Sequence, residues 1–151
     1  MHSTIISDTS CLIVLSNIDE LELLQKLYGQ VITTIEVATE YGQILPDWIY
    51  IKAPADAYRQ KILEMQIDKG EASAIALALE ITDSTIIPDD HKARRIAEQP
   101  GMKITGTIGV LIRAKLNGKI NSVKPLLDKI RKTDFRLTDE IVNQALIEAG
   151  E

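Results

Sequence analysis

The sequence is poor in cysteine and in aromatic residues. Its 151 residues include one cysteine, one tryptophan and one phenylalanine, and aromatic side chains make up 4% of the chain. A lone cysteine excludes an internal disulfide, so Cys11, which lies in an apolar run, is expected to be a buried thiol in a reducing compartment. Because aromatic residues are scarce, the core has to be aliphatic.

The chain also lacks an excess of positive charge and any long apolar run. It has 17 Lys and Arg against 22 Asp and Glu, a formal net charge of -5. That balance excludes a broad basic surface for nucleic acid, so any nucleic-acid contact has to be local. No apolar run approaches the roughly 20 residues of a membrane span, and the chain start lacks a signal-peptide pattern. We therefore expect a cytoplasmic protein with no membrane contact.

Length and composition predict a single domain over residues 1–151. A chain that is 45% hydrophobic and 26% charged has the composition of an ordinary globular protein. At this length, folding buries about two-thirds of the surface of the unfolded chain, which is enough for one core. The sequence shows no repeat, low-complexity tract or linker.

Short β-branched runs alternate with helical segments. Strands are predicted at 4–7, 31–33, 48–51, 85–87 and 102–105. Helices are predicted at about 11–15, 19–27, 35–41, 55–66, 71–81, 91–99, 107–116, 122–132 and 138–149. This alternation is typical of a parallel sheet covered on both faces, so we predict an α/β fold, a three-layer α/β/α sandwich.

Burial is predicted for several of these segments. The helix at 71–81 is apolar nearly all round and should be buried at the centre of the domain. In the helix at 55–66, Tyr58, Ile62 and Met65 are expected to face inward. The strand at 48–51 lies between two prolines and should be short and peripheral.

Carboxylates occur where the predicted sheet would bring them to one edge. Asp8 ends the first strand, and Asp89 follows the strand at 85–87 with Asp90 directly behind it. Ligands of open parallel sheets bind beyond the carboxyl ends of the strands, so Asp8 and Asp89 face one crevice if their strands are neighbours. Two helix-borne acids, Glu40 and Glu71, can be aimed at the same crevice.

Four carboxylates in one crevice repel one another unless a cation neutralises them. An all-oxygen ligand set of this kind suits Mg²⁺ or Mn²⁺. The chemistry predicted for such a site is metal-assisted hydrolysis of a phosphodiester. His2 and His91 have no second histidine at metal-ligand spacing, so neither is assigned to a metal.

Each of these acids also has a purely structural interpretation. Asp8 fits the N-cap of the helix that follows it, and either Asp89 or Asp90 fits the N-cap of the next basic helix. Glu71 lies in the first turn of a helix, where a carboxylate is favourable without any function. Glu40 fits a solvated helix face. Only the order of strand and helix acids favours a metal site.

Four segments together resemble a known family. They are IISDTS at 5–10, DKGEA at 68–72, DDHKARRIA at 89–97 and GTIGVL at 106–111. In this order they resemble a prokaryotic branch of the PIN-domain proteins, the metal-dependent ribonucleases that include toxins of toxin-antitoxin pairs. The resemblance extends from residue 4 to about residue 150.

The resemblance implies a site, residue by residue. The first family aspartate falls on Asp8, and the second acid falls on Glu40 in preference to Glu36. Glu71 and Asp89 take the third and fourth places. Asp90 is then a fifth acid or a helix cap, and Pro88 departs from the expected strand residue.

The resemblance also implies a substrate and partners. It implies an Mg²⁺- or Mn²⁺-dependent endoribonuclease that acts on RNA and binds a cognate antitoxin; a homodimer is expected from the apolar residues of the last helices. Residues placed to contact RNA are Thr9, Thr107, Arg94 and Arg95, although the arginines also fit a solvated helix face and Thr107 also fits an N-cap. Apolar residues of the last helices fit a partner surface or simply the core: Val123, Leu126, Leu127, Ile130, Ile141, Leu146 and Ile147.

Two other interpretations remain open. A phosphoacceptor receiver module also gathers aspartates and a threonine at strand ends, but its paired acids would follow the first strand, where this chain has Asp8 alone. A PIN-like fold that has lost catalysis and serves only in binding is the second alternative.

Overall fold

A five-stranded parallel sheet runs through the molecule. The computed structural model describes residues 3–151, so the predictions for Met1 and His2 lie outside the described residues. The strands are β1 (Thr4–Ser7), β2 (Gln30–Thr33), β3 (Ile49–Ile51), β4 (Ser84–Ile87) and β5 (Lys103–Ile104). Their order is β3-β2-β1-β4-β5, and all neighbouring pairs are parallel. The predicted parallel sheet is confirmed.

Nine helices connect and cover these strands within residues 3–151. They are α1 (Thr9–Asn17), α2 (Leu23–Leu27), α3 (Ile35–Tyr41), α4 (Ala57–Glu64), α5 (Lys69–Ala78), α6 (His91–Glu98), α7 (Thr107–Leu116), α8 (Lys124–Arg131) and α9 (Asp139–Glu148). The prediction that the second helix starts near Asp19 was wrong, because Asp19 has a φ of 58°. A right-handed helix does not tolerate that dihedral.

The two faces of the sheet are covered by different helices. Ile5, Val31 and Ile87 point to one face and join a core with apolar residues of α1, α2, α3, α7, α8 and α9. Ile6, Ile32 and Ile86 point to the other face and pack against α5 and α6. Because successive side chains of a strand alternate between faces, β1, β2 and β4 each contribute residues to both cores. This is the predicted three-layer α/β/α sandwich.

Helix α5 is the central element of the second core. Every residue from Ala72 to Ala78 is buried, as predicted for a helix that is apolar nearly all round. The helix begins at Lys69, two residues before the predicted start, because the side chain of Asp68 caps it by accepting a hydrogen bond from the Glu71 N–H at 2.9 Å.

The prediction that the apolar side chains of α4 face inward was wrong. Tyr58, Ile62 and Met65 are 80%, 61% and 84% exposed, and α4 contains no buried residue. The helix lies beside α5, and Leu63 makes its contact with the second core. The periodicity of the sequence marks an apolar stripe, but it does not show whether another element covers that stripe.

The remaining predictions about burial have mixed outcomes. Strand β3 is short and lies at the sheet edge, as expected. Of the apolar residues near the C-terminus, those from Val123 to Ile130 belong to the core, whereas Ile141 and Ile147 are 43% and 68% exposed. Cys11 is a fully buried free thiol, as predicted, and burial raises its pKa. In the described part of the chain, no helix is long and apolar enough to cross a membrane.

Candidate active site

Asp8 lies at the carboxyl end of the central strand and faces the end of its neighbour. Ser7 of β1 and Ile87 of β4 are register partners, so the residues that follow them meet at one edge. Oδ1 of Asp8 accepts a hydrogen bond from the Cys11 N–H at 2.9 Å, and Oδ2 accepts one from the Asp89 N–H at 3.3 Å. Asp8 therefore caps α1 and at the same time points to the predicted crevice.

Asp89 is held on its other side by the start of α7. The Thr107 hydroxyl donates a hydrogen bond to Oδ2 of Asp89 at 2.8 Å, and the Thr107 N–H donates one to Oδ1 at 3.4 Å. The N-cap of α7 is Gly106, so the preference for Thr107 as N-cap was wrong. The strand ends at Ile87, before Pro88, and the next N–H along the chain is the one that bonds to Asp8.

Of the two adjacent aspartates, Asp90 is the one that caps a helix. Its Oδ2 accepts hydrogen bonds from the N–H groups of Lys92 and Ala93, both at 3.1 Å, at the start of α6. The alternative left open by the sequence is thereby decided, because Asp89 makes no such cap and turns toward Asp8 and Thr107.

Glu40 reaches the same edge from the last turn of α3. The Thr9 hydroxyl donates a hydrogen bond to its Oε1. A Cβ atom on Gly70 would lie only 3.1 Å from that oxygen, so the glycine leaves room for the Glu40 carboxylate beside α5. Glu36, one turn earlier, instead accepts a hydrogen bond from Gln60 of α4. Of the two glutamates, only Glu40 borders the crevice.

A pair of buried hydroxyls fixes the helices that carry Glu40 and Glu71. Oγ of Ser73 in α5 lies 2.6 Å from Oγ1 of Thr34, the N-cap residue of α3. The Ser73 hydroxyl is also 2.7 Å from the Gly70 carbonyl, to which it donates. These contacts hold the first turn of α5 against α3, so the two glutamates keep a defined separation.

Glu71 carries a carboxylate oxygen that has no partner. Its Oε2 is buried and accepts no hydrogen bond. Burial raises the pKa of Glu71 to about 8, and the nearby negative charge of Asp68 adds to the shift. Burial likewise raises the pKa of Asp8 well above its usual range, with a further contribution from Asp89. Both shifts show negative charge crowded into a dry environment.

All these acids border one cavity of about 620 Å³. Its lining residues are Asp8, Thr9, Ser10, Ile13, Val14, Asn17, Glu40, Asp68, Glu71, Asp89, Asp90, Thr133, Asp134 and Phe135. Sequence reasoning missed Asp68, whose position just before Gly70-Glu71 marks a helix cap, and it missed the loop from Thr133 to Phe135. Among residues 3–151, no Lys or Arg lines the cavity.

The donor set fits a hard divalent cation. Within residues 3–151, no three acids or histidines are drawn together closely enough to form a ready-made metal cluster. The unpartnered Oε2 of Glu71 and the all-oxygen character of Asp8, Glu40 and Asp89 match the ligands that Mg²⁺ and Mn²⁺ prefer.

The predicted basic residues are placed differently from one another. A Cβ atom on Gly106 would lie 3.4 Å from Nη1 of Arg94 and 3.7 Å from Oδ1 of Asp89, so both side chains approach this glycine. Arg94 borders a second cavity on the far side of Asp89. Arg95 is exposed on α6 and borders neither cavity.

A family model described as a PIN domain matches residues 4–151. The chain belongs to the PIN-domain family. No curated protein and no solved structure matches it significantly. PIN domains are generally nucleases and typically use divalent metal ions, so membership supports a nuclease-like function for this PIN domain and gives no support to a receiver module.

Proposed function

We propose that this PIN domain is an Mg²⁺- or Mn²⁺-dependent endoribonuclease. The observation that carries the proposal is that four carboxylates from separate elements border one cavity, and one of their oxygens is buried without a partner. Asp8, Glu40, Glu71 and Asp89 would hold one or two ions. Asp90 caps α6 through Oδ2, so it would offer at most its Oδ1 as a further metal ligand.

The chain's own contacts prepare these carboxylates. A divalent ion held there would stabilise charge on a phosphodiester and make a water molecule more acidic. Two backbone N–H groups orient Asp8, and the hydroxyls of Thr9 and Thr107 orient Glu40 and Asp89. These donors are neutral, so they fix the carboxylates without cancelling the negative charge that a cation needs.

The substrate in this proposal is single-stranded RNA. Arg94, which borders the same second cavity as Asp89, would contact a backbone phosphate next to the cleaved bond, and Arg95, on the exposed face of α6, would contact a more distant one. The net charge of -5 does not oppose this, because a bound cation reverses the local sign where phosphate approaches.

The deciding experiment compares Asp8→Asn with Asp56→Asn. Asp56 also caps a helix, α4, but lies outside the acidic cavity. Asparagine caps about as well as aspartate, so both variants should fold. We expect metal-dependent cleavage of single-stranded RNA to fall about a hundredfold or more in Asp8→Asn and to stay unchanged in Asp56→Asn, as for loss of one transition-state ligand. Undiminished cleavage by Asp8→Asn would sink the assignment.

We further propose that the enzyme is the toxin of a toxin-antitoxin pair, acts in the cytoplasm and forms a homodimer. The four motifs support the toxin role through their resemblance to the toxin-containing PIN branch. The exposed stripe of Tyr58, Ile62 and Met65 offers an apolar surface for a protein partner.

Expression of the wild-type chain without its antitoxin should arrest growth, whereas expression of Asp8→Asn should not. Equal growth of both strains would contradict the toxin role, and sedimentation tests the dimer.

The alternative of a PIN-like binding module without catalysis makes a different prediction. It expects the acidic cavity to bind no divalent ion. Titration of the protein with Mn²⁺ by calorimetry separates the two, because the proposed nuclease should bind the ion and lose this binding in Asp8→Asn.

A further inference from the structure

Phe135 lies where two cavities meet. It borders the acidic cavity and also a second cavity of about 730 Å³, and Asp89 is the other residue shared by both. The second cavity lies between the start of α7, the loop before α9 and α9 itself. Asp89 and Phe135 therefore both lie on the boundary between the two cavities.

The second cavity differs chemically from the acidic one. Its walls include the apolar side chains of Ile108, Ile112 and Ile141, together with the amide of Gln144. Two arginines, Arg94 and Arg136, border it beside three acids, Asp89, Glu140 and Glu148, whereas the acidic cavity has, among the described residues, seven acids and no arginine. A nucleotide has an apolar base face, hydrogen-bonding base edges and an anionic phosphate, so it fits this lining better than it fits the acidic cavity.

The loop that carries Phe135 is held in place by its own hydrogen bonds. The Phe135 N–H donates to the Thr133 hydroxyl at 3.2 Å, and that hydroxyl donates to the Ile130 carbonyl at 2.6 Å. On the far side, Arg131 donates to the Leu137 carbonyl and pairs with Asp139. The ring of Phe135 is half-buried and also packs against the main core. Its position is therefore set before any ligand binds.

We propose that the second cavity is the binding site for the nucleotide next to the cleaved phosphodiester, with the base stacked on Phe135. Single-stranded nucleic acids are commonly held by an aromatic ring that stacks a base and by nearby positive charge. Here the ring is Phe135, and Arg94 and Arg136 border the same cavity. This inference rests on the proposed ribonuclease function, because it places the base relative to the cleavage site.

A fluorescence experiment tests base stacking without any cleavage. In Phe135→Trp, a tryptophan replaces the ring, and the wild-type protein with Trp48 as its only tryptophan supplies the background. We expect adenosine and uridine, used as uncharged probes, to quench the emission of Phe135→Trp and to leave the wild-type emission unchanged. No quenching by either nucleoside or by a short single-stranded RNA would overturn the proposal, as would equal quenching of both proteins. If the second cavity serves to bind another protein instead of a nucleotide, neither the nucleosides nor the RNA should quench the emission of Phe135→Trp.

Kinetics with a matched variant supply the second readout. Phe135→Leu keeps an apolar side chain against the core but cannot stack, so its KM for single-stranded RNA should rise about tenfold with kcat little changed, whereas Phe135→Trp should keep the wild-type KM. Equal KM values for the two variants would contradict base stacking. If the protein cleaves no RNA while nucleosides still quench Phe135→Trp, the ribonuclease proposal fails and the base pocket stands.

Discussion

The backbone N–H of Asp89 donates a hydrogen bond to Oδ2 of Asp8 at 3.3 Å, although 81 positions separate the two residues. The bond ties together the carboxyl ends of β1 and β4. Asp89 is in turn held by the Thr107 hydroxyl at 2.8 Å, so β1, β4 and α7 share one connected set of contacts. Both carboxylates are thus oriented by the protein itself.

The two glutamates of α3 should differ in their effect on cleavage. Glu40→Gln should lower metal-dependent RNA cleavage at least about tenfold, because it removes one charged ligand from the cavity while the Thr9 hydroxyl can still donate to the amide oxygen. Glu36→Gln is the matched control, since Glu36 contacts Gln60 outside the cavity. The initial rates of RNA cleavage by both variants decide the question. An equal loss of activity in the two variants would contradict the assignment of Glu40, and not Glu36, to the site.

Removal of the Thr107 hydroxyl should disturb Asp89 without emptying the core. Thr107 is 1% exposed, and valine has nearly its shape, so Thr107→Val should fold while losing the donor to Oδ2 of Asp89. The free energy of unfolding should fall by about 1.5–3 kcal/mol, the contribution of one hydrogen bond to a charged group. Cleavage should fall with it, whereas Thr107→Ser, which keeps the hydroxyl, should retain most of the activity. If the serine variant were as impaired as the valine variant, the hydroxyl would not be the cause.

Glu71→Gln should stabilise the protein when metal is absent. The Oε2 atom has no hydrogen-bond partner to lose, and the substitution removes a carboxyl whose charged form burial and Asp68 disfavour. Because the side chain is half-exposed, water screens much of the effect, and we expect about 1 kcal/mol, or about 2–4 °C in the melting temperature. The same variant should gain less than the wild type when Mn²⁺ is added. Scanning fluorimetry in EDTA and in Mn²⁺ measures the melting temperatures of the wild type and of Glu71→Gln. A lower melting temperature of Glu71→Gln than of the wild type in EDTA would contradict the prediction that the Glu71 carboxylate destabilises the metal-free protein.

The metal-free protein should lose stability as the pH rises. The pKa values of Asp8 and Glu71 are raised in the fold, that of Glu71 to about 8, whereas unfolded carboxyls titrate near pH 4. A raised carboxyl pKa stabilises the fold fully below the unfolded value, and that stability is lost as the pH rises through the folded value. In EDTA, the melting temperature should therefore fall between about pH 4 and pH 8. Excess Mn²⁺ should oppose the fall at the upper end, and a flat profile in EDTA would contradict the prediction.

Two other carboxyls with shifted pKa values affect stability outside the pH range in which Asp8 and Glu71 act. A hydrogen bond from Lys103 lowers the pKa of Asp83, and one from Ser122 lowers that of Glu151. Stability that depends on a lowered carboxyl pKa is present above the unfolded value and is lost as the pH falls. Their effect therefore lies at the acidic end, below the range in which Asp8 and Glu71 act.

Local sequence pattern was enough to find most of the elements and two of the acids. β-Branched runs and capping residues such as Asp68 and Asp90 depend on neighbours along the chain, so the strands and most helices lie within a few residues of their predicted bounds. Parallel strands end at a common edge, and for that reason Asp8 and Asp89 could be expected to face one crevice from their positions alone.

The sequence by itself determined the alternation of strands and helices, the aliphatic core and the acids at the strand ends, because short-range sterics, capping and burial of alternating faces act within a few residues. Only the tertiary structure decided that Glu40 and not Glu36 borders the cavity, that the Thr107 hydroxyl holds Asp89, and that the stripe of α4 stays exposed. It also brought Phe135 to the boundary of two cavities. These outcomes depend on which distant segment packs against each side chain, and the periodicity of a single helix or loop does not contain that information.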